Sequence, residues 1–254
     1  DSKNRLAEEY KIPSLNDLGF KNFKVDKRSA FAFKGGTKCG IERMNDYFWK
    51  TKKLSFYKHT RNGLIGIDYS SKLSSWLANG CISPKMIFWE TKKYEKQIIK
   101  NQSTYWMVFE LLWRDYFKYI SMKYRDKIFS IEGILNKKYD WDNSKTKVFE
   151  WIDGKTKEPF VNSNMLEIKN TGWMSNRGRQ NVASYFAKDL KLDWRIGAAY
   201  FESMLIDYDV HSNYGNWMYV SGVGNDPRDR KFNIKWQSEK YDPKMKYQNL
   251  WLND

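Results

Sequence analysis

The chain has 254 residues and carries 45 Lys+Arg against 30 Asp+Glu, a formal charge of +15. That is enough for one large domain whose positive field favours acidic partners. Aromatic residues make up 17%, a load that excludes a solvated, disordered tail. No apolar run approaches the roughly 18 residues a bilayer crossing needs, and the opening DSKNRLAEEY has neither a signal-peptide nor a transit-peptide pattern. A soluble, intracellular protein without a membrane partner is expected, with nucleus, organelle and cytoplasm all open. The two cysteines, Cys39 and Cys81, suit a reducing compartment. The two distant histidines, His59 and His211, offer no metal ligand set, so no metal site is expected.

Residues 1–35 are polar and basic with Pro13, Gly19, Gly35 and Gly36 as breakers, and read as a linker-like leader that packs weakly. Helical periods follow over 36–254. They are predicted at 41–58, 83–99, 103–120 running on through 115–125, 179–190 and 195–206. The clearest is 103–120, where Trp106, Phe109, Trp113, Phe117 and Ile120 recur in steps of 3, 4, 4 and 3 as one buried face, with Ser103 or Thr104 as N-cap. No stretch sustains strand alternation beside a turn signal, so the fold class is all-α. Loops rich in Gly, Asn and Asp at 59–75, 136–147 and 207–231 are too long for simple connections and are candidates for function.

Five features could carry chemistry. Asp68-Tyr69-Ser70-Ser71-Lys72-Leu73-Ser74-Ser75 gathers hydroxyls around a lysine, a phosphate cradle or an ordinary serine-rich helix cap. Glu110 and Arg114 stand at i, i+4 with Trp113 beside them, either a surface ion pair or the polar wall of a pocket for a flat ring. Thr171 to Gln180 puts Arg177, Arg179 and Asn176 on a Gly-broken turn entering a helix, suited to an anionic backbone or a ring with amide edges. Asp207 and Asp209 follow an apolar helix end whose dipole they oppose, so they need a partner, and Arg179 is the candidate. The run from Asn213 through Asn216, Trp217 and Tyr219 to Arg228 has the residue types of a close backbone approach to a ligand.

Taken in order, YKHTRNGLIGIDYSSKLSSWLANGCISP, STYWMVFELLWRDYF, TGWMSNRGRQNVASYFAKDLKLDWR and LIDYDVHSNYGNWMYVSGVGNDPRD resemble the photolyase and cryptochrome family, with GVGNDPR similar to its DASH-type cryptochrome branch. The similarity runs over about residues 13–252. It implies the helical FAD-binding domain without the N-terminal α/β antenna domain that houses a folate-type chromophore, and residues 1–35 resemble the linker leaving that domain. A separate antenna domain or chain is a partner the resemblance admits, and a monomer is expected.

By resemblance, Tyr57, Ser70, Ser71, Lys72, Leu73, Ser74, Glu110, Arg114, Asn176, Arg179, Asp207, Tyr208, Asp209 and Asn213 contact FAD. Asn213 faces flavin N5, and an amide there hydrogen-bonds the reduced ring without adding negative charge. Trp217, Trp194 and Trp141 match an electron relay from the flavin to the surface. For DNA, Arg61, Glu110, Trp113, Asn176, Arg177, Gln180, Tyr219 and Gln237 match lesion-pocket or backbone positions, with Glu110 and Trp113 catalytic along with Asn213.

Departures narrow the activity. Ser175, Asn176 and Gln180 stand where (6-4) repair enzymes carry histidines, which disfavours that chemistry. Gln180 and Tyr219 replace a Met and a Trp of duplex-acting enzymes, a weaker clamp that leaves single strands favoured because unstacking costs a few kcal/mol. Asn162 and Leu166 replace an acid and an arginine, so a local ion pair usual in the family is not expected. The resemblance therefore implies light-driven repair of cyclobutane pyrimidine dimers in single-stranded DNA by electron donation from excited, reduced FAD. Its alternative is a blue-light receptor without turnover. A basic nucleic-acid-binding module that has lost its flavin is opposed by the intact Lys72, Arg179, Asp207, Asp209 and Asn213.

Overall fold

The computed structural model describes residues 13–21, 24–226 and 228–253. In chain order the α-helices are α1 Thr37–Asn45, α2 Tyr57–Thr60, α3 Ser74–Ala78, α4 Pro84–Gln97, α5 Gln102–Tyr124, α6 Lys145–Ile152, α7 Pro159–Thr171, α8 Asn176–Ser184, α9 Trp194–Met204, α10 Val210–Ser221, α11 Ile234–Tyr241 and α12 Lys246–Leu252. Wider π-turns extend α1 over Asp46–Lys50 and α8 over Tyr185–Asp189. Among the described residues no strand forms, only one isolated parallel bridge between Asp142 and Leu192. The all-α expectation therefore holds.

Local chemistry sets the helix ends. Ser83 accepts the Met86 amide ahead of Pro84, whose missing N–H costs nothing at a first turn. The long α5 starts two or three residues earlier than Ser103 or Thr104 would place it. Asn101 is its N-cap, accepting the Thr104 amide at 3.1 Å while the Thr104 hydroxyl takes the Asn101 amide at 3.1 Å. Asp209 caps α10 by accepting the Ser212 amide at 2.8 Å, and Gly222, at φ 83°, closes that helix in the left-handed region a side chain resists.

That last helix corrects the loop expected at 207–231. Residues 210–221 are helical, and Asp209 sits favourably at the positive end of the next helix rather than unfavourably past the end of α9. The segment 41–58 is likewise not one helix but α1, a π-turn, a short 3-10 turn and α2. Helices α3, α6, α7, α11 and α12 join the predicted set, α6 starting inside the expected 136–147 loop.

Two apolar cores result. One joins Met44, Phe48, Leu54, Ile87, Tyr94, Met107 and Leu111 from α1 to α5. The other, larger, joins Trp151, Phe160, Met165, Phe186, Trp194, Phe201, Trp217 and Trp251 from α6 to α12. Helix α5 crosses between them by packing on α10, which in turn packs on α9. The leader also ties the two halves together. Ala30 is buried with Tyr69 and Trp173, Phe33 lies against both Trp76 and Trp173, and Arg28 stacks over Trp251 at 4.4 Å. The expected weak packing holds for Leu15, Leu18 and Phe20, which are exposed, and fails at 30–33 because these apolar side chains close the seam.

Candidate functional site

Between the two cores opens a cavity of about 640 Å³, with a smaller recess of about 90 Å³ against it. Asn176, Arg179, Gln180, Asp207 and Asp209 line both. The predicted buried stripe of α5 supplies part of the wall. Phe109, Trp113 and Phe117 line the cavity together with Met107 and Leu111, and of the predicted stripe only Phe117 is buried. The stripe's periodicity is real, but it serves a lined cavity as well as a core.

On one side the serine turn 70–74 is shaped from behind by Arg43 of α1. Its guanidinium donates to the carbonyls of Ile67, Ser70 and Ser71 at 3.0 to 3.2 Å and pairs with Asp46 and Asp68. Carbonyls drawn back toward Arg43 turn the opposite edges of these peptides forward. Lys72 holds φ 58°, and its ammonium lies 3.3 Å from the Tyr69 ring centre. The side chain is 2% exposed and its Nζ has no hydrogen-bond partner. Burial, with help from Arg43, pushes the Lys72 amine down to about 7. A buried ammonium of this kind is costly until an anion meets it.

Linked to this turn through Tyr69 and Trp173, over whose ring it lies at 5.3 Å, Arg179 of α8 sends one nitrogen to both oxygens of Asp207 at 3.0 Å and its Nε to the Met174 carbonyl at 2.9 Å. The pair expected from sequence is thus formed, with the Asp207 side chain almost fully buried. Asp209 keeps a second carboxylate oxygen beyond its capping bond. In the recess, Asn213 donates its amide to the Ala198 carbonyl at 3.0 Å, which leaves the side-chain oxygen as its free polar atom. Tyr208 and Trp217 line the same recess.

At the cavity's third wall, Glu110 does not bond Arg114, which would have been the helix-surface reading. It pairs instead with Arg61, at the end of α2, at 2.5 Å. The nearest acid to Arg114 is Asp115 at 4.0 Å. Burial pushes the Glu110 carboxyl up and Arg61 partly offsets it. Trp113 stands beside this pair, edge-on to Phe109 and Tyr116. The chain thus brings Tyr57, Arg61, Ser70, Ser71, Lys72, Leu73, Ser74, Glu110, Trp113, Arg114, Asn176, Arg179, Gln180, Asp207, Asp209 and Tyr219 to one lining.

Four candidate residues line neither the cavity nor the recess. Arg177 donates to Asn62 at 3.0 Å and stacks over Tyr241. Gln237 is 7% exposed and accepts from the Asn181 amide at 3.4 Å, so its side chain is buried against α8. Trp194 is sealed in the larger core, and Trp141 is half-buried beside Tyr139. Trp217 rests on Gly197, one turn from Trp194 on α9. A methyl at Gly197 would overlap its ring. Gly197→Ala should therefore displace Trp217 and lower the melting temperature, as a thermal scan would show.

Arg43 was not legible as a site residue, because a lone arginine in an amphipathic segment looks like surface charge. Nor was Glu167 of α7. It is fully buried, accepts from the Tyr247 hydroxyl at 2.6 Å, and is pushed up by burial to about 7. Where a family ion pair was not expected, Asn162 makes three hydrogen bonds to Thr156 at 2.7 to 2.9 Å.

Residues 106–254 match the family model "FAD binding domain of DNA photolyase". The chain belongs to this family. It is 52% identical over 234 residues to Cryptochrome DASH of Synechocystis sp. strain PCC 6803, covering 92% of this chain and 48% of that protein. The crystal structure of Synechocystis sp. PCC6803 cryptochrome superposes with TM-score 0.91 at 50% identity, over 98% of this chain and 51% of that one. A bacterial class III photolyase from Agrobacterium tumefaciens gives TM-score 0.84 at 27% identity, over 97% and 51%. The chain spans about half the length of the curated relatives it matches. The photolyase-type FAD-binding domain takes FAD as cofactor, and the residues here fit it. The unpartnered, buried Lys72 ammonium supplies charge for a diphosphate, and the Arg179–Asp207 pair with the free Asn213 oxygen supplies polar edges for a ring. Among the described residues no helix is long and apolar enough to cross a membrane, and no cluster of metal-ligating side chains occurs.

Proposed function

We propose that this domain, with FAD bound, repairs cyclobutane pyrimidine dimers in DNA under blue light, with a preference for single strands. The supporting observation is one cavity whose lining carries the Lys72 and Arg179–Asp207 groups together with the Arg61–Glu110 pair and Trp113. Reduced FAD supplies a photoexcitable electron donor. The protein's part is placement. Lys72 and Ser70, Ser71 and Ser74 hold the diphosphate, with Tyr57 and Leu73 beside them. Arg179, Asp207 and Asp209 orient the ring's amide edge, flanked by Arg114, Asn176 and Tyr208, and the Asn213 oxygen accepts from its N–H. Trp113 stacks on the dimer, Glu110 hydrogen-bonds a pyrimidine edge while Arg61 holds that carboxylate in position, and Gln180 and Tyr219 complete the pocket. The +15 charge attracts the phosphate backbone, with Arg177 among the groups that meet it.

Two outcomes test the placement. Trp113→Ala should weaken binding of a dimer-containing single strand by about 1–3 kcal/mol, the worth of one stacked base, in a fluorescence-anisotropy titration. Lys72 binds a diphosphate only when protonated, and it deprotonates at about 7 in the free protein. FAD affinity should therefore fall as pH rises above 7, by up to about tenfold per unit. Lys72→Met should bind more weakly and without that slope.

A second reading, a light receptor without turnover, draws on the same FAD site and on Trp217, Trp194 and Trp141 as a path for electrons. The relay serves either reading, so repair with pre-reduced FAD separates them.

A further inference from the structure

Three tyrosines abut tryptophans at the larger core, and they differ in what their hydroxyls meet. Tyr200 lies edge-on to Trp151 at 5.6 Å, but its hydroxyl is buried without a partner. Tyr139 lies 5.4 Å from Trp141, and its hydroxyl donates to the Gly222 carbonyl at 3.4 Å, a group that cannot take up a proton. The nearby Asp229 is already held by Lys188. Tyr214 of α10 lies edge-on to Trp194 at 6.1 Å, and its hydroxyl donates to the Glu202 carboxylate of α9 at 3.3 Å. Glu202 is exposed, so a proton received there can pass to water.

The setting of Trp194 makes such a neighbour useful. Its indole is 0% exposed, and its N–H is held by the Ile131 carbonyl at 3.1 Å. If Trp194 gives up an electron, it cannot shed its proton to a neutral carbonyl, and it becomes a cation sealed from water. A buried unpaired charge is costly, which favours electron transfer from any adjacent donor able to release a proton at the same time.

We infer that Tyr214 and Glu202 form a proton-coupled electron-donor branch that re-reduces oxidised Trp194. The electron leaves the Tyr214 phenol for the Trp194 radical cation, restoring neutral indole. The phenolic proton goes to the Glu202 carboxylate, and a neutral tyrosyl radical remains. The oxidant that first empties Trp194 is an excited oxidised flavin acting through Trp217, so the inference rests on the reading of these tryptophans as a relay. The branch leaves the relay midway, before Trp141, and the Tyr214 ring packs edge-on at 4.7 Å against the exposed Phe129. The hole is thus parked away from the path back to the flavin.

The test is laser-flash transient absorption and electron paramagnetic resonance on the full chain loaded with oxidised FAD, without external reductant. The wild type should show a tryptophan radical giving way to a tyrosyl radical, more slowly in D2O. Tyr214→Phe, which keeps the ring against Trp194 and Phe129, should lose the tyrosyl signal entirely. Tyr139→Phe, Tyr200→Phe and Tyr208→Phe should keep it. Glu202→Gln should slow its formation about a hundredfold, the lower range for a positioned proton acceptor, and should remove the D2O effect. Flavin absorption in each variant reports that the fold is intact. A tyrosyl signal that survives Tyr214→Phe, or is missing from a wild type in which the tryptophan radical forms, overturns the branch and leaves the relay standing. If no tryptophan radical forms in the wild type, relay and branch fall together.

Discussion

Replacing Arg179 by methionine is expected to cost about 3 kcal/mol of folding stability and to empty the cavity of FAD. The asymmetry of the Arg179–Asp207 pair sets the size. The carboxylate is almost fully buried while a quarter of the arginine side chain reaches solvent. Removing the arginine strands a buried anion, whereas Asp207→Asn leaves a guanidinium that can still find water and the Met174 carbonyl. Arg179→Met should therefore be the worse of the two by urea denaturation. Adding Asp207→Asn to it should restore part of the loss, because the stranded charge is gone. Equal losses in the two single variants would mean that the pair does not carry the local energetics.

Trp217→Phe should abolish photoreduction of oxidised FAD while leaving repair by chemically pre-reduced protein near the wild-type level. Phenylalanine keeps an aromatic ring against Phe201, Phe186 and Trp151, which surround Trp217 at 5.2 to 6.2 Å. The substitution therefore removes an oxidisable indole and keeps an aromatic ring in place, losing the part of the side chain that rests on Gly197. Blue-light bleaching of the flavin measures the first effect and dimer counting the second. Photoreduction that persists in the variant would show that electrons enter by another route, with Trp151 at 6.2 Å the nearest alternative. Loss of both activities would show that Trp217 holds the flavin itself.

How far the sequence alone reaches depends on what each segment faces. Helices α4, α5 and α9 are legible because one side is apolar and the other wet. Helix α10 is not, since Asn213, Tyr214, Gly215, Trp217, Met218, Val220 and Ser221 bury it almost all round and leave no stripe to read. Its Gly and Asn content also mimics a loop. Phe31 and Phe33 are misread as part of a solvated leader because their partners, Trp76 and Trp173, lie far along the chain.

At the site, Lys72, Arg179, Asp207 and Trp113 stand out through resemblance, and folding brings them to one lining. The Arg61–Glu110 pair is hidden from periodicity, which offers only the i, i+4 partner Arg114. A long-range ion pair has no signature in local spacing. Arg43 and Glu167 are invisible for the same reason, since each acts on residues distant in sequence: Arg43 on the carbonyls of 67–71, and Glu167 through Tyr247.

The most direct test of the proposed activity is dimer content in a thymine-dimer oligonucleotide incubated with FAD-loaded, pre-reduced protein in blue light and in darkness, single-stranded and as duplex. The proposal predicts light-dependent loss of dimer from the single strand, and slower loss from the duplex where unstacking opposes the pocket. Dimer content unchanged by light, with flavin bound and reduced, would contradict it.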